Sequence, residues 1–62
     1  MATATITAEG VRRLRKRLGM TQRAFAAALG TQQMSVWRWE SGRTKAIGIY
    51  VEKMRSLVAA AR

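Results

Sequence analysis

The sequence contains no cysteine, no histidine, no proline and no aspartate. Without Cys or His there is no disulfide, no thiolate or imidazole nucleophile and no soft-metal ligand set. The only carboxylate side chains, Glu9, Glu40 and Glu52, fall on three separate segments. No acid–base pair and no carboxylate metal site can be assembled from them, so enzymatic activity, cofactors and metals are not expected. Aromatic residues are few, and none sits in the glycine–aromatic pattern of RNA-binding sheets. No stretch approaches the roughly 18 apolar residues that cross a bilayer. The first residues lack the basic start and apolar run of a signal peptide. No membrane association and a cytoplasmic location are the expectation.

What is present is positive charge. Twelve Lys and Arg stand against three Glu, a net charge of +9 on 62 residues. Such an imbalance implies an anionic partner: nucleic acid, an anionic membrane surface or an acidic protein. The length allows a single domain with marginal stability, helped by a compact helical core or by oligomerisation. Ala, Leu, Met, Arg and Lys dominate, all good helix formers, and an all-α fold of four helices follows.

Helix 1 is read over residues 8–18. Thr7 caps it, Glu9 suits its first turn, and Gly19 ends it. Val11, Leu14 and Leu18 recur at i, i+3 and i+7 and make its apolar stripe. Arg12, Arg13, Lys16 and Arg17 lie off that stripe. Helix 2 is read over 22–29, with Thr21 as cap, Phe25, Ala26 and Leu29 inward, and Gly30 as stop. Helix 3 is read over about 32–40, starting at Gln32 or Gln33, with Val36 and Trp39 inward and Ser41-Gly42 as stop. Helix 4 is read over 47–60, its wide stripe formed by Ile47, Tyr50, Val51, Met54, Leu57, Val58 and Ala61. Residues 1–7 read as a flexible arm ahead of a single domain over 8–62; a short strand pairing across a dimer is the alternative for the arm.

Helices 2 and 3 are separated by a corner that Gly30 permits. Two short helices around a tight Gly-containing turn form a helix-turn-helix, and on a basic chain that unit points to the DNA major groove. The second helix of such a unit inserts, its N-terminal part meeting base edges. Gln33, Met34, Trp37 and Arg38 share its outward face. Gln33 suits adenine, Arg38 suits guanine, and Met34 can press on a thymine methyl. Trp37 is open to three readings: contact with DNA, contact with protein, or packing on helix 4.

The string LRKRLGMTQRAFAAALGTQQMSVWRWESGRTK resembles the Cro/repressor-type helix-turn-helix proteins, the XRE family. The resemblance rests on Thr21-Gln22, Phe25-Ala26, Leu29-Gly30, Val36, Trp39-Glu40 and Gly42-Arg43. It implies a lambda-repressor-like domain and a sequence-specific transcription regulator of double-stranded DNA, a repressor on an inverted-repeat operator. It also implies an ion pair between Arg15 and Glu40, against the alternative of two independent surface charges. Phosphate contacts are expected from Gln22 at the start of helix 2, and from Arg23, Gln32, Ser35, Arg43, Thr44 and Lys45. Gln32 stands where the family often has a Ser or Thr cap, so Thr31 is the alternative cap. Ala46 stands where the family often has Pro after the basic loop.

Family members bind as two-fold dimers. Met54, Leu57, Val58 and Ala61 are the candidates for a homodimer interface, unless they only close the monomer core. The resemblance extends to antitoxins that repress their own operons, so a toxin protein is an alternative partner. A membrane-surface amphipathic peptide is disfavoured by the core spacing of helices 2–4.

Overall fold

The computed structural model describes residues 5–61. Residues 1–4, most of the expected N-terminal arm, and Arg62 lie outside the described residues. The elements run β1 (Thr5–Ile6), α1 (Ala8–Arg17), α2 (Gln22–Leu29), α3 (Gln33–Ser41), β2 (Ala46–Ile47) and α4 (Gly48–Ala60). The architecture is the expected four helices, with one short strand pair tying the N-terminal end of the described chain to the segment before α4.

Local chemistry sets the helix limits. Thr7 accepts the Gly10 N–H at 3.0 Å and Thr21 accepts the Ala24 N–H at 3.0 Å, each satisfying a first-turn donor. α2 ends where Gly30 turns to φ +75°. There the Thr31 N–H reaches the Ala26 carbonyl at 2.9 Å and the Gly30 N–H reaches that of Ala27 at 3.1 Å. These two bonds close a Schellman turn and aim the chain into α3. A Cβ at Gly30 would meet only Lys53 Nζ, at 3.5 Å, so the left-handed angle and not space excludes other residues. Gly30→Ala is therefore expected to cost about 1–2 kcal/mol. Thermal unfolding checks this as a midpoint lowered by roughly 4–8 °C per kcal/mol.

Three boundaries differ from the sequence reading. α1 stops at Arg17, with Leu18 as its helical-angled cap. α3 starts at Gln33, the later of the two starts read, and runs to Ser41, one residue beyond the end read. Its N-cap, Gln32, makes no side-chain capping bond, and Thr31 does not replace it: the Thr31 hydroxyl donates to Ser35 Oγ at 3.0 Å. α4 starts at Gly48 because Ala46–Ile47 are extended and pair with β1.

That pairing is antiparallel, Thr5 opposite Ile47 and Ile6 opposite Ala46, and it lies within one chain. At Thr5–Ile6 the chain is thus a strand and not a free arm. Ile6 packs on the core. It can do so because a Cβ on Gly10 would stand 2.9 Å from Ile6 Cγ1, a contact glycine avoids.

The core comprises Val11, Phe25, Ala26, Leu29, Val36, Trp39, Ala46, Val51 and Met54. Trp39 meets Tyr50 with ring centroids 5.2 Å apart. Lys53 crosses from α4 to donate to the Leu29 carbonyl at 3.2 Å, satisfying an acceptor at the α2 C-terminus. Met54 is fully buried at 0% exposure. It was expected at a dimer interface; its side chain is wholly enclosed by its own chain and has no surface to offer a partner. Among the described residues no helix is long and apolar enough to cross a membrane.

Candidate nucleic-acid interface

α3 presents two unlike faces. Val36 and Trp39 are buried behind it, which fixes its rotation and depth. Gln33, Met34, Trp37 and Arg38 are all exposed. Met34 is 53% and Trp37 43% exposed, large apolar groups left in water on a strongly charged chain. Gln33, Met34 and Trp37 line a shallow depression. Isolated surface apolar residues are ordinary, but a cluster framed by polar groups marks a contact surface.

Trp37 does not pack into the core, so the reading that places it against α4 is overturned. Its ring instead carries the Arg43 guanidinium, 5.2 Å from the centroid. This cation–π contact links the outward face of α3 to the basic loop that follows. The loop is held further by the Arg38 carbonyl, which accepts the Arg43 N–H at 3.0 Å and the Thr44 N–H at 3.4 Å.

The residues expected to meet phosphates divide into two groups. Arg23, Gln32, Arg43, Thr44 and Lys45 are exposed; Gln22 and Ser35 are half-buried. The Ser35 hydroxyl accepts the bond from Thr31 at the helix corner. The Gln22 carboxamide turns inward and donates to Glu40 Oε1 at 3.2 Å. What α2 offers an anion is thus the first-turn N–H groups of Gln22 and Arg23, ahead of the Ala24 N–H that Thr21 caps.

Glu40 is the electrostatic centre of the fold. It is 6% exposed. Arg15 grips its carboxylate with Nε at 2.6 Å from Oε2 and Nη2 at 3.0 Å from Oε1. Arg15 Nη1 also donates to the Met20 carbonyl at 3.0 Å, in the α1–α2 turn. Arg12 adds a bond from Nη2 to the Glu40 carbonyl at 2.9 Å. Burial works to raise the Glu40 pKa, but the bonds from Arg15 and Gln22 and the charges of Arg15 and Arg12 outweigh it and hold it below the ordinary value. The same hydrogen bonding, donated by Arg15 and accepted by Glu40, raises the Arg15 pKa. One carboxylate therefore locks α1, the start of α2 and the end of α3 together. The sequence reading named Arg15 and Glu40 and missed Arg12 and Gln22. A residue three before Arg15 lies on the same face of α1, which is the signal that could have found Arg12.

A helix-turn-helix family model matches residues 11–49, well over half of the chain. No curated protein matches the chain. The matched span covers α1 from Val11, both helices of the corner, the basic loop and the start of α4. The chain belongs to the Cro/repressor-type helix-turn-helix family of DNA-binding transcription regulators.

Proposed function

We propose that this protein is a repressor that recognises an inverted-repeat operator, each of two copies placing α3 in the major groove. The observation that carries this reading is the outward row of Gln33, Met34, Trp37 and Arg38 on a helix locked from behind by Val36, Trp39 and the Arg15–Glu40 pair. Preorganised side chains on a rigid element lose little entropy on binding. Gln33 and Arg38 read base edges and Met34 meets a thymine methyl. Trp37 borders the reading face and holds Arg43 for a phosphate. Arg23, Gln32, Thr44, Lys45 and the α2 N-terminus complete the backbone contacts. Repression follows from occupancy of the operator.

Methylation interference on a duplex enriched by the protein tests this placement. Methylation of guanine N7, in the major groove, is expected to block binding in two half-sites about one helical turn apart. Interference confined to adenine N3, in the minor groove, would overturn it.

The pairing of two copies is proposed to occur on DNA. Without Met54, the remaining candidates are Leu57, half-buried by its own chain, and Ala61 at the end of α4, because Val58 lines a groove ringed by Arg13, Arg17 and Arg55 that repels a second copy. A stable interface takes about 800 Å² per partner. That is about a fifth of the 4449 Å² surface of this chain. Sedimentation is expected to give a 6.9 kDa monomer in free solution and two copies per operator. A free dimer at micromolar concentration would contradict this.

A further inference from the structure

A second positively charged surface lies on the far side of α1. At 3.6 residues per turn, Arg12 and Arg15 occupy one side of this helix, and Gly10, Arg13, Leu14 and Arg17 the opposite one. Arg12 and Arg15 are the residues that reach Glu40 on α3. The other side opens into a groove of about 560 Å³ shared with α4, with Arg13, Arg17 and Arg55 at its rim. Leu14 and Val58, both half-buried, line it, and Gly10 leaves it clear of a side chain. Among the described residues both ion pairs converge on Glu40, and neither involves these three arginines.

We infer that the groove between α1 and α4 docks an acidic amphipathic helix of a partner protein. Arg13 and Arg17 stand one turn apart, roughly 6 Å along the axis, which matches carboxylates at i and i+4 of a facing helix. Arg55 answers from the other wall. Apolar residues between those carboxylates would seat on Leu14 and Val58, the helix-in-groove mode of recognition. Charge decides against other occupants. A second copy of this chain in two-fold contact would set these arginines against their own copies, and it brings only Glu9 and Glu52 as carboxylates beyond the buried Glu40. Duplex DNA seated on α3 as proposed would lie toward the other side of α1, where Arg12 shares a depression with Trp37. A ligand with a single negative charge would leave two of three guanidinium groups unanswered.

The test measures fluorescence anisotropy with a fluorescein-labelled helical peptide of Glu, Ala and Leu, its leucines on one face flanked by glutamates. A scrambled peptide of the same composition is the control. The helical peptide is expected to bind, and the scrambled one about tenfold more weakly, because only the first can align apolar and acidic groups with the groove. R13Q/R55Q should lower affinity about tenfold through two lost charge pairs. K16Q, which removes a charge of α1 outside the groove, should change it by about twofold or less. Far-ultraviolet melts verify that both variants fold. Equal binding of the two peptides, equal effects of the two variants, or no binding up to millimolar peptide would overturn the inference. So would a tenfold loss of DNA affinity in R13Q/R55Q, which would make the groove a phosphate contact. Binding of these arginines to phosphatidylglycerol vesicles but not to the peptide would equally reject it, in favour of a membrane.

Discussion

Arg15→Met is expected to leave the protein largely unfolded at 25 °C. The substitution preserves much of the stem of Arg15 and removes only its charge and donors. Glu40 would then be a carboxylate at 6% exposure with the bond from Gln22 and the longer-range charge of Arg12. Breaking a buried pair from one side costs about 3–5 kcal/mol. A core of this size supplies about 3–5 kcal/mol in total. The loss matches the reserve, so the folded state has little left. The reciprocal change is milder. Glu40→Gln keeps an acceptor for Arg15, whose side chain is 15% exposed and can recruit water. About 1–3 kcal/mol is expected for it. Circular dichroism melts of the two variants distinguish these outcomes; an Arg15→Met midpoint within a few degrees of the parent would show the pair to be idle.

The same pair sets the pH response. The folded-state pKa of Glu40 is lowered. Its stabilisation is therefore fully present above the unfolded carboxylate value, about 4.3, and is lost as pH falls through the depressed folded value. Stability should be flat from neutrality to mildly acidic pH and fall only below the ordinary carboxylate range. Glu40→Gln should flatten that acid limb.

Affinity for operator DNA is expected to fall about 10³–10⁵-fold between 50 and 200 mM salt. With a net charge of +9 per chain, and with Arg23, Arg43 and Lys45 exposed beside α3, two copies can neutralise the six to ten phosphates that such a fall requires. Each phosphate contact adds roughly 0.9 to the slope of log affinity against log salt. Arg43→Ala should reduce the slope by about one per copy and weaken all sequences alike. Trp37→Ala should do part of the same, because it removes the ring that holds Arg43. Near-constant affinity across this salt range would reject the phosphate contacts.

The parts of the fold that were legible in the sequence are those written in local signals. α2 was placed to the residue because Thr21 and Gly30 act on their own neighbours, through a capping bond and a left-handed turn. The β1–β2 pairing was not legible. Two residues on each side carry no periodicity, and their partners are some forty positions apart. Met54 shows a different limit. An apolar stripe says that a residue is buried, not which molecule buries it, and Met54 is buried by its own chain. At the interface, spacing alone separated the outward residues of α3 from Val36 and Trp39. It could not show that Arg43 folds back over Trp37, because a loop residue's direction is set by tertiary contacts. The Arg15–Glu40 pair spans 25 positions and entered through family resemblance; Arg12 and Gln22 joined it only in three dimensions.

The central claim is that α3 reads bases in the major groove. Selection of bound duplexes from a random pool tests it most directly, carried out with the parent chain and with Arg38→Ala. The parent is expected to enrich a palindromic consensus containing guanine and adenine in each half-site. Arg38→Ala should lose about 1–3 kcal/mol on that consensus and relax the preference at one symmetric guanine. No enrichment over bulk DNA by the parent, or an unchanged consensus from Arg38→Ala, would contradict the account.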